Sequence, residues 1–434
     1  MMIVFGTLRD SSERYVKSTM PIKEGEKRMI SRVLSLRLFE AFSIQRWNDR
    51  IRPVEMSEMD KQAFKTVLAY FFAKFEEANG KKIDWDYIIY GSLFALLKNI
   101  ALSDIKAPVI KKMKQDHKEA YKNLNSWVVD SYRSIIDDKD LLEKFENFLN
   151  NNDSDENNLN LKILRAAHKY STLREFEILK PFNTSFPRLK ELEREVNRDL
   201  KKFVDLEGVK EIFIEQQDLY EAICLIEQLR FQTRWSQTPR IPKTSVLGHS
   251  MFVACLMIFF SRELKACNKR LYNNFFAGLF HDLPEAVVRD IISPVKRATT
   301  ELPDIVKKIE SEMCQTELYS KFPSFILEDI QYLIGDNLES GDEFSNRIID
   351  EKKARVLSSD ENISVYNLDK YSPVDGKLIK VADEITAFIE AEQSIKHGIT
   401  SYHLQDGMAN IRIKYMKENT IGDIIVQKFF LEFN

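Results

Sequence analysis

The stretch LFHDLPEAVVRDIISPV, residues 279–295, matches a second stretch of the same chain, LFALLKNIALSDIKAPV at residues 93–109, without a gap. Leu, Phe, Leu, Asp, Ile, Pro and Val coincide, and the separation between the two stretches is constant throughout. Self-similarity at a fixed separation is typical of a repeated structural unit. The match therefore predicts two related units in tandem.

Two further pairs of segments match in the same order. Upstream, Arg46-Trp47 matches Arg234-Trp235, at a slightly longer separation. Downstream, residues 163–174 match residues 378–389. The downstream match places His168 opposite Asp383. Three matches in one order favour a duplication. The alternative is that helical proteins use Leu, Ala and Phe so freely that weak self-similarity arises by chance.

The spacing of apolar residues indicates α-helices along most of the chain. In one example they recur at i, i+3, i+4, i+7, i+8 and i+11, which is one stripe of an amphipathic helix: Phe64, Val67, Leu68, Phe71, Phe72 and Phe75. With 13 glycines and 12 prolines in 434 residues, long helices are favoured over short strands. Because this length exceeds what one core usually serves, we predict an all-α fold of two helical bundles in tandem, residues 1–207 and 208–434.

The charge balance excludes several classes of partner. Lys and Arg (64) nearly cancel Asp and Glu (67), leaving a formal net charge of −3, so no global basic field favours nucleic acid or an anionic membrane. The longest apolar run, residues 251–260, is half a membrane span and is predicted to be a buried core helix. Four cysteines without Cys-x-x-Cys spacing, and an N-terminus without a signal-peptide pattern, favour a cytoplasmic protein.

Four potential metal ligands are spread over the second half: His249, the adjacent pair His281-Asp282, and Asp383. Imidazole nitrogens together with carboxylates suit a divalent ion such as Mn²⁺, Co²⁺, Fe²⁺, Ni²⁺ or Zn²⁺. Ligands so distant in sequence meet when several helices direct them into one bundle core. We therefore predict one divalent-metal site in the second half.

Each of these residues also has a purely structural interpretation. His249 precedes an apolar run and is compatible with a hydrogen-bonded core histidine. Asp282 precedes Pro284 and can cap a new helix. Asp383, with Glu384, is predicted to open an apolar-rich helix, where carboxylates favour the positive end of the dipole. Their joint occurrence favours the metal site over three separate explanations.

Taken together, the motifs of the second half resemble the HD superfamily of metal-dependent phosphohydrolases, and most closely its bacterial 5'-deoxynucleotidase branch. The motifs are Arg234-Trp235, Gly248-His249-Ser250, His281-Asp282-x-x-Glu285, Asp290 with Ser293-Pro294-Val295-Lys296, and Ala382-Asp383. The resemblance covers about residues 215–434, and the order and separations of the motifs agree. It implies that one divalent ion is held by His249, His281, Asp282 and Asp383.

The resemblance also implies roles for the other motif residues. Glu285 would transfer a proton and form the catalytic pair with Asp282; three residues apart, the two side chains face one way on a continuous helix. Substrate recognition would fall to Arg234, Trp235, Asp290 and Lys296. A guanidinium can bind a phosphate through two hydrogen bonds, an indole offers a flat face to a base or sugar, and the matching Asp of the family contacts the sugar hydroxyl. Ordinary packing is the competing explanation for Trp235.

The first half lacks the same set of ligands. Where the second half has its His-Asp pair and its catalytic Glu, the first half has Ala95, Leu96 and Asn99. Residues 60–63, opposite His249, contain no histidine. The sequence therefore predicts a degenerate first copy that cannot assemble the same metal site.

The predicted function is hydrolysis of a phosphate monoester, with a (deoxy)nucleoside 5'-monophosphate as substrate and a metal-activated water as nucleophile. One alternative keeps the metal site and changes the substrate to a nucleoside triphosphate, a cyclic nucleotide or a guanosine tetraphosphate alarmone. Another makes the chain a nucleotide-sensing regulatory protein with little activity. Because HD nucleotidases can form dimers, the resemblance implies either a homodimer or a monomer whose halves form the equivalent pair internally. The expected partner is a small nucleotide, with no nucleic acid and no membrane.

Overall fold

The computed structural model describes residues 30–433 except 104, 152–157, 216, 290–298, 337, 339–340 and 419. The prediction of an all-α fold is confirmed, because α-helices joined by short 3-10 and π-helical segments dominate the described residues. One pair of short strands interrupts this pattern.

The first half is built around a central helix, α2. Its helices are α1 (Arg32–Phe39), α2 (Glu58–Ala78), α3 (Trp85–Leu102), α4 (Ala107–Asp116), α5 (Lys118–Asp130), α6 (Lys139–Asn151), α7 (Leu159–Leu179), α8 (Leu189–Leu200) and α9 (Glu207–Lys210). Helix α2 packs against α3, α7 and α9. It begins behind Ser57, whose hydroxyl accepts a hydrogen bond from the amide of Asp60, as N-cap serines commonly do.

The second half is arranged around helix α11 in a similar way. Its helices are α10 (Gln217–Gln228), α11 (Val246–Glu263), α12 (Asn268–Phe280), α13 (Glu285–Val288), α14 (Leu302–Met313), α15 (Ser324–Ile334), α16 (Gly376–Lys396), α17 (Tyr402–Lys417) and α18 (Gln427–Leu431). Helix α11 packs against α12 and α16, and α16 packs against α17. Every predicted metal ligand lies on, or directly after, one of these three central helices.

A continuous hydrophobic core runs through both halves, because α2 packs directly against α11. The stripe from Phe64 to Phe75 is buried as expected. Helix α2 is nevertheless not amphipathic, since Lys61 and Lys65 are also buried, at 2% and 7% exposure. The predicted boundary between residues 207 and 208 stays a prediction.

Helix α11 is the core helix that the apolar run of residues 251–260 predicts. Among the described helices it is the one long and apolar enough to cross a membrane by length and composition, and 89% of its 18-residue window is buried inside the protein. Such burial is expected of the core helix of a soluble protein. The cysteines are free, and Cys255 and Cys314 are buried.

The strands β1 (Arg347–Asp350) and β2 (Lys353–Val356) form an antiparallel hairpin that the all-α prediction missed. The guanidinium of Arg347 is fully buried and donates to the carbonyl oxygens of Tyr332 and Leu333 near the end of α15. These bonds fix the loop before β1. That loop places the ring of Phe344 6.3 Å from the ring of His281, so the hairpin supports one wall of the predicted site.

Candidate metal centre

The four predicted ligands lie on three neighbouring elements. His249 is in the first turn of α11. His281 and Asp282 follow the last residue of α12 in a turn. Asp383 lies two turns into α16. Since α11 packs against both α12 and α16, the three elements direct these side chains to one point.

The ligand atoms of His249, His281 and Asp383 all lie within 4.8 Å of one another. His249 Nε2 is 3.1 Å from Asp383 Oδ1. Asp282 approaches the same point, with its Oδ2 3.3 Å from His281 Nε2 and 3.9 Å from His249 Nε2. The structure therefore brings the four predicted ligands together, and both imidazoles are almost fully buried.

One hydrogen bond sets the tautomer of His281. Its Nδ1 lies 2.9 Å from the carbonyl oxygen of Gly278, and because a carbonyl can only accept, Nδ1 carries the proton. Nε2 then presents its lone pair to the cluster, where it is buried and has no hydrogen-bond partner among the described residues. Burial lowers the pKa of His281, which keeps the imidazole neutral, as a metal ligand must be.

His249 is oriented in the same sense by two residues of α16. Its Nδ1 lies 3.0 Å from Thr386 Oγ1 and 3.5 Å from Glu390 Oε1. The Thr386 hydroxyl donates its own proton to the carbonyl oxygen of Asp383 at 2.7 Å, so it accepts from Nδ1. In the neutral imidazole, the form that binds a metal, Nε2 therefore faces the two aspartates with its lone pair; in the protonated imidazole it donates to Asp383 Oδ1 at 3.1 Å. A carboxylate behind a ligating imidazole is the usual outer-shell arrangement of a metal site.

This donor set fits a divalent cation. Two imidazole lone pairs and the carboxylates of Asp282 and Asp383 converge, and acceptors placed so closely repel one another unless a cation lies among them. The carboxylates around His249 also affect its pKa. Burial and the charge of Arg234 oppose protonation of the imidazole, yet hydrogen bonds to Asp383 and Glu390 raise its pKa above the ordinary value. Mixed nitrogen and oxygen ligands suit the ions from Mn²⁺ to Zn²⁺.

Arg234, predicted to bind the substrate, lies beside the predicted ligands. Its Nη1 is 3.3 Å from Asp282 Oδ2, and its Nη2 is 3.7 Å from Asp383 Oδ1. Burial opposes its charge, but Glu390, Asp282, Asp383 and Glu285 together raise the pKa of the guanidinium. The guanidinium of Arg234 is therefore charged and fixed in position at the edge of the site, where 14% of its side chain is exposed.

Trp235 is held by the carboxylate behind His249. Its indole Nε1 donates to Glu390 Oε2 at 2.9 Å, and its ring packs on Gly407. The indole is half-buried, and it lines a cavity of about 290 Å³ together with Arg240 and Lys243. The contacts at the N–H edge fit the packing interpretation, while the exposed part of the ring is available to a ligand.

Three predicted residues remain, and the structure describes one of them. Glu285 begins α13, directly after the turn that carries His281 and Asp282, and its charge contributes to the raised pKa of Arg234. Its carbonyl oxygen accepts a hydrogen bond from Gln232 at 2.9 Å. Asp290 and Lys296 lie outside the described residues.

Three local expectations are wrong. Asp282 and Glu285 do not share a continuous helix, because α12 ends before Asp282 and α13 begins at Glu285 with Pro284 at its N-cap. Asp282 therefore does not cap that helix either. Asp383 does not open a helix, because α16 begins at Gly376. This position lies beyond the first turn, to which the dipole's effect is confined, so the dipole does not explain Asp383.

Sequence reasoning missed Glu390. The residue is 1% exposed, and its Oε2 lies 3.3 Å from Arg240 Nη1. Burial opposes its ionisation, but the charges of Arg240 and Arg234 and the bond with His249 hold its pKa below the ordinary range. One signal was present: Glu390 follows Asp383 by two helical turns and so lies on the same face of α16.

Lys380, one turn before Asp383 on α16, was also missed. Its Nζ lies 3.0 Å from Asp383 Oδ2 and 4.1 Å from the ring centre of Phe344. Burial opposes the ionisation of Asp383, yet the hydrogen bond with His249 and the charges of Lys380 and Arg234 hold its pKa well below the ordinary range. Asp383 is therefore an ionised carboxylate, as a metal ligand requires.

The first half of the chain reaches the metal centre through Asp60. Ser245, the N-cap of α11, donates from its hydroxyl to one carboxylate oxygen of Asp60 while accepting from the amide of Gly248 at 2.8 Å. Ser57, the N-cap of α2, donates to the other oxygen at 2.6 Å. One buried carboxylate thus joins the caps of two helices, and the first turn of α11 carries His249.

Replacing Asp60 by alanine is expected to destabilise the protein by about 1–3 kcal/mol, because two buried hydroxyls lose a charged acceptor. The loosened cap of α11 should also weaken metal binding. Urea denaturation and metal titration measure the two effects. Glu55→Ala, which removes an exposed carboxylate just before α2, is the matched control and should change neither. An Asp60→Ala protein as stable as the wild type would contradict the coupling.

Residues 226–412 match the family model of the HD domain. The matched segment contains His249, His281, Asp282 and Asp383, together with Arg234. HD domains are in general metal-dependent phosphohydrolases that bind divalent ions. No curated protein and no solved structure matches the chain.

Proposed function

Because residues 226–412 match the HD-domain family, we propose that the chain is a divalent-metal-dependent phosphohydrolase of the 5'-nucleotidase type. Its substrate is the phosphate monoester of a (deoxy)nucleoside 5'-monophosphate. One observation carries the proposal: two imidazole lone pairs and two carboxylates converge beside a buried guanidinium, Arg234. The resemblance of the motifs to 5'-deoxynucleotidases supports the choice of substrate.

Each group of residues around the site would have its own role in the reaction. A divalent ion bound by His249, His281, Asp282 and Asp383 would polarise a phosphate oxygen and lower the pKa of water. Arg234 would bind the phosphate, for which a guanidinium is suited. Glu285 would orient the attacking water or protonate the leaving oxygen. Trp235, Asp290 and Lys296 would recognise the nucleoside and its phosphate.

Two alternatives remain as proposals. The same site could act on a nucleoside triphosphate, a cyclic nucleotide or an alarmone, since the ligand set alone does not select among phosphate esters. A sensing protein with little activity is the other alternative. It is favoured by the retention of Arg46 and Trp47 in a half that lacks the metal ligands.

We also propose that the first half is a second HD-like bundle without metal ligands. Helices α2, α3 and α7 pack around one another as α11, α12 and α16 do. Isolated β-bridges precede both central helices at corresponding positions: Gln45 with Ser57, and Thr233 with Ser245. Trp47 and Trp235 share a backbone φ of 55°. Each indole also donates to a buried glutamate at 2.9 Å, Glu175 and Glu390 respectively.

The packing of α2 on α11 supports a monomer whose halves form an internal pair. We also propose a cytoplasmic location and a small nucleotide as the partner. Light scattering tests the oligomeric state, and an obligate homodimer formed through the second halves would argue against the internal pair.

Metal-stripped protein is expected to be inactive, and Mn²⁺ or Co²⁺ is expected to restore release of inorganic phosphate from a nucleoside 5'-monophosphate. Asp282→Ala should abolish both metal binding and phosphate release, because the ion loses a charged ligand. Asp406→Ala removes an exposed carboxylate on α17 and is the matched control. Wild-type protein with full metal occupancy and no turnover on any phosphorylated nucleotide would overturn the enzyme proposal and favour a sensor.

A further inference from the structure

Within the described residues, the metal centre is open to solvent on one side. The two imidazoles and Glu390 are closed off, with side-chain exposures of 0–1%. The side chains of Asp282 and Asp383 are 16% and 15% exposed. A substrate must therefore approach a bound ion across the side on which the two aspartates lie. We call this side the open face and define it by Asp282, Asp383, Arg234 and Lys380.

Lys380 has the most exposed side chain of the open face, at 37%. Its Nζ lies 3.0 Å from Asp383 Oδ2 and 4.1 Å from the ring centre of Phe344. The ring of Phe344 in turn lies 6.3 Å from that of His281. These contacts hold the ammonium between a metal ligand and the wall of the site, at a point that solvent reaches.

The ammonium of Lys380 can donate more hydrogen bonds than the protein accepts. It carries three N–H groups, and within the described part of the chain its hydrogen bond goes to Asp383. Glu384 Oε1, at 3.9 Å, is too distant for a second one. Burial opposes the charge of Lys380, but Asp383 and Glu384 raise its pKa. A charged group with N–H donors to spare therefore lies on the open face.

Arg234 lies beside the other oxygen of the same carboxylate. Its Nη2 is 3.7 Å from Asp383 Oδ1, whereas Lys380 is bound to Oδ2. Arg234 belongs to the segment between α10 and α11, and Lys380 lies near the start of α16, so two separate elements bring one cation each to the open face. Fixed positive charges beside a metal ion favour an anion that carries more than one negative charge.

We propose that Lys380 is a second phosphate-binding residue, whose ammonium donates to a non-bridging oxygen of the substrate's phosphate while Arg234 binds the same group from its other side. The inference rests on the proposed function, because it places a phosphate ester at the ion. Hydrogen bonds between charged groups are among the stronger ones in proteins. A phosphate monoester carries about −1.5 to −2 charges at pH 7, whereas a cyclic nucleotide carries a single negative charge. The pair of cations therefore selects monoesters over cyclic diesters.

Titration calorimetry of inorganic phosphate with the Mn²⁺-loaded full chain tests the assignment without turnover. At equal metal occupancy, Lys380→Met should bind phosphate about 10–100-fold more weakly than the wild type, because a hydrogen bond between charged groups is lost. Lys380→Arg keeps the charge and should bind phosphate more tightly than Lys380→Met. Lys377→Met removes an exposed lysine three residues earlier on α16 and is the matched control, which should bind phosphate as the wild type does.

Kinetics at saturating Mn²⁺ separates phosphate binding from mere support of Asp383. A binding role predicts that Lys380→Met raises KM for a nucleoside 5'-monophosphate while metal occupancy stays full. Unchanged KM and phosphate affinity once metal is saturating would confine Lys380 to Asp383 and overturn the proposal, as would wild-type protein that holds Mn²⁺ and binds no phosphate. Phosphate binding that depends on Lys380, in a wild type that hydrolyses no nucleotide, would overturn the enzyme proposal and support this assignment.

Discussion

Replacement of Asp383 by alanine is expected to remove metal binding, and phosphate release with it. Asp383 is ionised at neutral pH and lies 3.1 Å from the Nε2 of His249. Outer-shell changes around metal sites commonly cost about 10–100-fold in affinity, and the loss of a charged ligand should exceed that range. Metal content after reconstitution and release of inorganic phosphate measure the two effects.

The control for the Asp383→Ala substitution is the next residue on the same helix. Both carboxylate oxygens of Glu384 accept from the ammonium of Lys414 at 2.9–3.0 Å, and Lys380 lies 3.9 Å from one of them. Glu384→Ala should therefore retain metal and activity. If Asp383→Ala bound metal as tightly as Glu384→Ala, Asp383 would not be a ligand.

Replacement of Glu390 by alanine is expected to give the largest loss of stability. The buried carboxylate lies beside two guanidinium groups, those of Arg234 and Arg240, and also accepts from the indole of Trp235. Removing one partner of a buried ion pair leaves an uncompensated charge and costs about 3–5 kcal/mol. Urea denaturation of the metal-free protein measures this loss, so that metal binding does not enter the comparison.

The same substitution should weaken metal binding by about 10–100-fold, because Glu390 lies behind the Nδ1 of His249 and helps to hold that ring. Glu392→Ala, slightly further along α16, is the control: its carboxylate is buried as well, but its partner Lys396 is half exposed, so the substitution leaves no buried charge without a partner and should cost less than the loss of Glu390. Equal stability of the Glu390→Ala and Glu392→Ala proteins would mean that the buried network does not hold the site together.

The predicted ligands could be found from sequence because the chain has only 6 histidines and one of them, His281, stands directly beside Asp282, whereas Asp383, one of 67 acidic residues, stood out only through the order of the motifs. His249, His281, Asp282 and Asp383 do meet in the structure. The spacing of apolar residues could not predict which of these ligands lie within a helix and which lie in a turn. Asp383 lies inside a helix and Asp282 lies in a turn between two helices, because neighbouring elements, and not local spacing, determine where a helix starts and ends.

Glu390 and Lys65 illustrate what sequence reasoning misses. A glutamate or lysine on a helix is usually solvated, and only the packing of other helices around α2 and α16 buries these two. Apolar spacing identifies the face that must be covered, but it does not reveal whether the opposite face is covered as well. The hairpin of β1 and β2 was missed for a different reason: two such short strands carry too little alternation to be distinguished from loop.

The most direct test of the metal centre is the metal content of the reconstituted full chain, measured together with release of inorganic phosphate from a nucleoside 5'-monophosphate. The four converging ligands of the second half predict one divalent ion per chain, whose removal abolishes phosphate release and whose binding is lost in the Asp383→Ala protein. Stoichiometric metal retained by Asp383→Ala, or phosphate release that persists in metal-free protein, would contradict it.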